Sequence, residues 1–401
     1  ATLTWSAIVF LITLTLYIFS MPTAITLEDA GLFQMVCHRG GIGHPPGYPL
    51  FVLSCQGFVA LPFFGTGVFA GNLLSAIYAS LTCALLVPVC IDLFKDEKLA
   101  AFTALAYGLS STFWSQAIVI EVYSLATLLF VCCLWLCLYY RRTADTRSLY
   151  LLALVYGLAL SNHWPLQLLA SPALLAVVAP KWRQLISVAS QPLHLLVLIA
   201  LLLAGLLPYL SLLQASPEIA VFGAIETWEQ FVNYVSRAPY DDQFEVAGWH
   251  DRGQYQFWVL LQTLTEFSYP LAPLVMIGLV ISFRQLGPSL AVSFLILYLG
   301  ATSLLILLLG FEFSDFRTAI FRPYPVIAYL GPAVWLALGC RWLVNLMRPF
   351  AARVIVFLPA VLLAAELIQN LPGHYRSGDE FTLNYAQKVF DLTPEDSVLF
   401  V

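Results

Sequence analysis

Leu193–Leu213 reads LHLLVLIALLLAGLLPYLSLL, a stretch that is apolar on every face of a helix. Twenty-one helical residues reach about 30 Å, the thickness of a bilayer's hydrocarbon core. A transmembrane strand would instead show about ten residues of alternating polarity. Similar runs recur near 3–21, 70–94, 99–117, 120–140, 149–162, 165–180, 256–282, 289–309, 323–343 and 354–369. With 192–213 they predict an all-α polytopic membrane protein of about eleven transmembrane helices. The arms meeting at Asn162–Pro165 are short, so that boundary is the least regular. Composition agrees: of 401 residues 60% are hydrophobic and 10% charged, and the mean hydropathy is +0.85. A soluble globule of this size could not be coated with so few polar groups.

Basic residues mark the cytoplasmic loops. With the N-terminus inside, those loops hold Lys95, Lys98, Arg141, Arg142, Arg147, Lys181, Arg183, Arg284, Arg341, Arg348 and Arg353 against four acids, Asp92, Asp96, Glu97 and Asp145. The outer side takes the remaining seven basic and nineteen acidic residues, so the net charge of −5 averages two opposite faces. No basic patch suits nucleic acid. The first apolar stretch lacks a charged leader and a clear cleavage site, and is read as a retained helix. Six of eight cysteines fall in spans. Cys37 and Cys55 share the outer side and could pair, and no metal-ligand spacing emerges.

The inner connections are short, whereas the outer side carries 22–69, 214–255, 310–322 and the tail 370–401. The chemistry is expected outside. Glu28 and Asp29 follow the first span closely, and a partly desolvated carboxylate there would gain the basicity of a general base; a solvated loop acid is the alternative. His44–Leu50, HPPGYPL, is stiffened by prolines and followed by a segment suited to lying along the membrane surface. Glu121 opens the fourth span, and Asn162 and His163 close the fifth. Polar groups at the mouth of a bundle are candidates because burial near lipid is costly. Trp114 and Trp164 read as interfacial anchors. The segment from Trp228, with Arg237, suits either sugar stacking or an amphipathic surface helix. Arg317 and Arg322 precede a span on the side where arginine is not normally retained. They suit an anionic phosphate, or a pairing with Glu312 or Asp315.

The ordered set of first-loop acid, His44–Leu50, Asn72–Ala76 (NLLSA), Glu121–Tyr123 (EVY) and Gly157–His163 (GLALSNH) resembles one family of multispanning proteins. Arg237–Tyr240 (RAPY) and Phe321–Pro325 (FRPYP) extend the likeness over nearly the whole chain. That family contains bacterial proteins and the animal transmembrane O-mannosyltransferase acting on plexin-type receptors, a branch of the GT-C superfamily. The family's acid motif usually reads AspSerGlyGlu, and here Asp29-Ala30-Gly31-Leu32 lacks the second acid. Members often continue into soluble domains, so Val401 is expected to be a truncation or short form.

The resemblance implies a GT-C bundle over 1–369 that moves a hexose, such as mannose, from a polyprenyl-phosphate donor to a hydroxyl of a protein or glycan acceptor, with inversion. Asp29, or Glu28, would be the base. Arg322 and Arg317 would hold the donor phosphate. His44, Tyr48, Glu121, His163, Asn162 and Arg237 would bind substrate. The superfamily leaves a divalent cation open, and the sparse acids favour no metal. The absence of an Asn-x-Ser/Thr sequon favours a bacterial inner membrane with the site facing the periplasm. An envelope-glycan enzyme of the same fold and a lipid or solute transporter are the alternatives; a transporter more commonly carries internal repeats and midplane sites. Single-cysteine reporters at Arg142 and Asp241, in an otherwise cysteine-free chain, are expected to react with an impermeant reagent from opposite sides; labelling from one side would overturn this topology.

Overall fold

The computed structural model describes residues 2–27, 29–62, 67–214, 223–240, 247–310, 312–394 and 397, and its elements are helical. In order they are α1 Thr2–Ser20, α2 Asp29–Arg39, α3 Pro49–Val59, α4 Val68–Phe94, α5 Glu97–Leu109, α6 Ser111–Ala117 and α7 Val122–Thr143. There follow α8 Thr146–Val178, α9 Trp182–Ala189, α10 Pro192–Leu206, α11 Trp228–Ser236, α12 Trp249–Thr265 and α13 Ala272–Gln285. The last are α14 Pro288–Leu299, α15 Leu305–Leu309, α16 Asp315–Phe321, α17 Leu330–Ile355, α18 Leu358–His374 and α19 Phe381–Leu392. Among the described residues, six helices are individually long and apolar enough to cross a membrane: α1, α4, α7, Pro192–Leu213, Pro288–Leu308 and Leu330–Pro349.

The other apolar segments are broken or short. The expected single span at 256–282 is instead two helices, Trp249–Thr265 and Tyr269–Gln285, bent by 93°. The break falls at Glu266–Ser268, where Ser268 has φ 138°. α5 and α6 are separated at Ser110. α8 is continuous by its bonding but non-helical at His163 (φ −148°, ψ 77°). Its start at Thr146 follows Arg141 closely in the chain, and the carbonyl of Val177 near its end accepts from Arg141 Nη1 at 2.9 Å. At its middle, Asn162 Nδ2 donates to Val122 O, at the opposite end of α7, at 3.1 Å. α8 therefore doubles back at His163. Each arm reaches roughly 25 Å, less than the roughly 30 Å of a hydrocarbon core.

These breaks persist because other groups bond the backbone they release, which apolar surroundings demand. Glu266 Oε1 accepts from Thr112 N (2.6 Å) and Oε2 from Thr112 Oγ1 (2.8 Å), while Ser111 N donates to Glu266 O (3.0 Å). Asn370 Nδ2 donates to Leu109 O at 2.9 Å. Asn72 does the same service at the start of α4, with Nδ2 on Pro22 O (3.1 Å) and Oδ1 accepting from Ile120 N (2.9 Å). Trp114 is not an interfacial anchor. It is fully buried, donates to Ser20 Oγ at 2.9 Å and stacks on His374 at 5.3 Å. Trp164 is half-buried and donates to Val235 O at 2.9 Å.

In the segment after α1, α2 and α3 are joined by a Cys37–Cys55 disulfide, Cα–Cα 5.5 Å. α13 and α17 pack backbone against backbone: a Cβ on Gly278 of α13 would stand 1.6 Å from Trp335 O of α17, and one on Gly339 2.0 Å from Leu274 O. Neither carbonyl can swing aside as a side chain would. Gly278→Ala is expected to force α13 and α17 apart at a cost of about 1–3 kcal/mol or more, read as a lowered thermal midpoint of the purified protein. Gly253→Ala, where the added atom meets nothing within 4 Å, is the control expected to unfold at or above the parent midpoint.

Candidate active site

α2 begins at Asp29, and the turn from Gly40 returns the chain so that His44 faces it. His44 Nε2 lies 3.0 Å from Asp29 Oδ2. His44 Nδ1 lies 3.1 Å from the Tyr240 hydroxyl and 3.2 Å from Pro45 O. The Nε2–H of His44 can thus donate to the carboxylate while Nδ1 faces the Tyr240 hydroxyl and Pro45 O. Tyr48, in the left-handed region at φ 43°, caps α3 and sets its ring edge-on to His44 at 4.9 Å. It also meets the His163 ring at 5.4 Å, which in turn lies 5.6 Å from Tyr123. Tyr234 reaches back to Gly43 O and pins α11 to this loop. Arg237, at φ 69° just past α11, lays its guanidinium 5.0 Å over the Tyr240 ring.

The result is a cavity of about 730 Å³ whose wall includes Asp29, His44, Tyr48, Glu121, His163, Arg237 and Arg317. These candidates lie almost three hundred positions apart along the chain, and the fold brings them to one space. Gln116, Tyr123, Tyr240 and Tyr324, which the sequence reading did not select, line it as well. Glu121 is buried and caps α7, with Oε2 accepting from Val122 N at 3.3 Å, and its own N–H donates to Ser75 Oγ at 3.2 Å.

Two of the described candidates lie elsewhere. Asn162 is fully buried behind the wall and serves the α7–α8 contact. Arg322 lines a second cavity of about 410 Å³ instead, and donates to Ser111 Oγ at 3.3 Å. Glu28 lies outside the described residues.

The electrostatics of Asp29 differ from the sequence expectation of raised basicity. Burial does raise its pKa, but the hydrogen bond and charge of His44 outweigh it, so the carboxyl is held below the usual value. Asp29 thus stays ionised to lower pH than an isolated acid in the same place. Burial moves the phenols of Tyr48 and Tyr240 upward against the opposing charge of Arg237, Tyr240 to about 12, so both remain hydroxyl donors at neutral pH.

Over the whole chain the fold is shared with a solved structure of ArnT. ArnT from Cupriavidus metallidurans bound to undecaprenyl phosphate superposes with a TM-score of 0.65, covering 100% of this chain and 82% of ArnT at 14% sequence identity. The apo state gives 0.61 over 98% of this chain and 82% of ArnT at 15% identity. At that identity the likeness is one of fold. Within it, residues 29–187 match the family model described as the protein O-mannosyl-transferase TMEM260 N-terminal domain. Protein O-mannosyl-transferase TMEM260 of Mus musculus is 28% identical over 123 residues, 31% of this chain and 18% of the mouse protein. The match thus spans less than a fifth of that relative's length.

His44→Phe keeps a ring in the aromatic cluster and removes both effects that lower the Asp29 pKa. The carboxylate is present above its pKa and lost as pH falls through it, so the variant should protonate Asp29 at higher pH than the parent. A carbon-13 titration of labelled aspartate checks this; an unmoved or lower Asp29 midpoint would show that His44 does not govern it.

Proposed function

We propose that this protein is a membrane glycosyltransferase that moves a sugar, mannose or another hexose, from a polyprenyl-phosphate carrier to a hydroxyl acceptor on the non-cytoplasmic side, with inversion. The observation that carries the reading is the single cavity in which Asp29 meets His44, Tyr48, Glu121, His163, Arg237 and Arg317. Its first-loop acid falls within the stretch that matches a protein O-mannosyl-transferase domain, which favours a protein Ser or Thr as acceptor. The shared fold with a protein that binds undecaprenyl phosphate favours a prenyl-phosphate carrier. The Cys37–Cys55 bond on the α2–α3 loop agrees with an oxidising compartment such as the periplasm on that side.

In this mechanism the acceptor hydroxyl approaches Asp29, whose second oxygen is steadied by His44. The acceptor oxygen forms its bond to the anomeric carbon as the bond from that carbon to the phosphate oxygen breaks. The hydroxyl proton passes to Asp29, and the leaving phosphate takes the electron pair under the field of nearby arginine. The tyrosine hydroxyls and Glu121 offer hydrogen bonds to sugar hydroxyls, and the rings of Tyr48, Tyr123 and Tyr324 offer faces for the pyranose.

Asp29→Asn keeps the shape and cannot accept a proton. It should leave donor affinity within a few-fold and lower turnover by about 10² to 10⁴, measured with purified protein, a panel of polyprenyl-phosphate sugars and a hydroxyl acceptor. Near-normal transfer would remove Asp29 as base and move the test to Glu121. A parent protein that binds no lipid-linked sugar would overturn the enzyme reading in favour of transport.

A further inference from the structure

α19, Phe381–Leu392, buries none of its residues, yet it is rich in apolar side chains. Phe381, Leu383, Tyr385, Phe390 and Leu392 are exposed by 56% to 79%. At about 100° per residue, every apolar side chain of the helix falls within an arc of about 200°, with Phe381 and Leu383 at its edges. Asn384, Gln387, Lys388 and Asp391 fill the remaining arc, where Gln387 Nε2 donates to Asp391 Oδ1 at 2.7 Å. The helix is therefore amphipathic, and much of its apolar face is open.

The start of α19 is tied to a place where the chain leaves the membrane. α1 is long and apolar enough to cross, and at its end Ser20 O accepts from Arg376 N at 2.8 Å. Thr23 Oγ1 donates to Ser377 O at 3.1 Å. Asp379 completes the turn: its Oδ2 accepts from Arg376 Nε at 3.0 Å, and its Oδ1 from Phe381 N, where α19 begins, at 3.2 Å. Phe19 and Tyr375, exposed and 5.1 Å apart, put aromatic rings at this level, as is common where lipid meets water. From here a helix of 12 residues reaches about 18 Å. Standing on end, it would carry Phe390 and Leu392 roughly 15 Å into water. Lying flat, it sets the apolar arc on lipid and turns the polar arc outward.

We infer that α19 lies along the membrane surface, on the side where α1 ends, with Phe381, Tyr385, Phe390 and its other apolar side chains among the lipid acyl chains. The partner is the bilayer itself, because the turn that starts the helix is bonded to the end of a membrane-crossing helix. Lys388 is the sole cation of α19, so the attraction is apolar contact rather than a charge on anionic headgroups. Lys388 borders the arc beside Phe381 and Leu392, where its stem can be buried while its ammonium stays in water. This surface goes beyond the glycosyltransferase reading and does not depend on it. Arg376 lines the 410 Å³ cavity and is joined through Asp379 to the first residue of α19, so the membrane contact braces one wall of that cavity.

Four single-cysteine variants test this: Tyr385→Cys, Phe390→Cys, Asn384→Cys and Gln387→Cys, each in the full chain with Cys37–Cys55 kept oxidised and the other cysteines replaced by alanine. Each is labelled with a nitroxide and placed in nanodiscs of phosphatidylcholine. Electron spin resonance power saturation then compares collisions with oxygen, which concentrates in the bilayer, and with a water-soluble nickel chelate. The oxygen-to-nickel ratio should be several-fold higher at positions 385 and 390 than at 384 and 387. A ratio alike at all four positions, whichever reagent dominates, would overturn the surface orientation. Shielding of 385 and 390 from both reagents would overturn it in favour of a protein cover, from a second copy or from elsewhere in the chain. Unlabelled Phe390→Ser in detergent should keep the parent's thermal midpoint, because the ring lies outside the protein core; a lowered midpoint would show this face packed on protein and would overturn the proposal too.

Discussion

A backbone surrounded by hydrocarbon has no water to turn to, so it can leave helical geometry only where another part of the same protein bonds the peptide groups it releases. This chain breaks its helices at Ser110, His163 and Glu266–Ser268, and the described partners of these breaks are other polar parts of the chain. The first and third serve each other through Thr112, Glu266 and Asn370. The second is supported by Asn162 of α8, which donates to Val122 O on α7, and by the His163 ring, whose Nδ1 accepts from Leu166 N at 3.3 Å. Of these breaks, the one at His163 places its ring in the wall of the Asp29 cavity.

That constraint explains why several motif residues touch no cavity. Asn72 and Ser75 look like site residues in a sequence, yet they hold Pro22, Ile120 and Glu121 in register at the start of α4 and α7. Asn162 works in the same way. Each fixes where Glu121 or His163 stands and leaves the contact with substrate to its neighbour. Loss of such an amide would unpair buried peptide groups, a cost of about 1–3 kcal/mol per group.

The helical class and most of the cavity wall were legible in the sequence because apolar run length and misplaced charge are both strong signals. Asp29, His44, Glu121, Arg237 and Arg317 announce themselves as polar groups beside spans. Tyr123, Tyr240 and Tyr324 stand in the very strings that carried the family likeness, EVY, RAPY and FRPYP, but a tyrosine in a membrane protein reads first as an interfacial residue and its direction cannot be told from spacing. The 93° bend was invisible for a similar reason, since 256–282 has the length and apolarity of one crossing. The separation of Arg317 from Arg322 depends on the turn of α16, which a charge count along the chain does not resolve. The lowered pKa of Asp29 needed the His44 contact across 15 positions, and burial alone pointed the other way.

The Cys37–Cys55 bond encloses the segment that carries His44 and Tyr48. A covalent closure of this kind removes conformations from the free loop, by roughly 3 kcal/mol of chain entropy for a loop of about fifteen residues. On the proposed reading, the ordering of the loop is accordingly settled when the protein folds, before any sugar binds. Binding energy that a slack loop would consume in becoming ordered stays available for the strained, charge-separated arrangement at the top of the reaction barrier. On the proposed reading, the disulfide would favour both substrate binding and the speed of transfer without contact with the substrate.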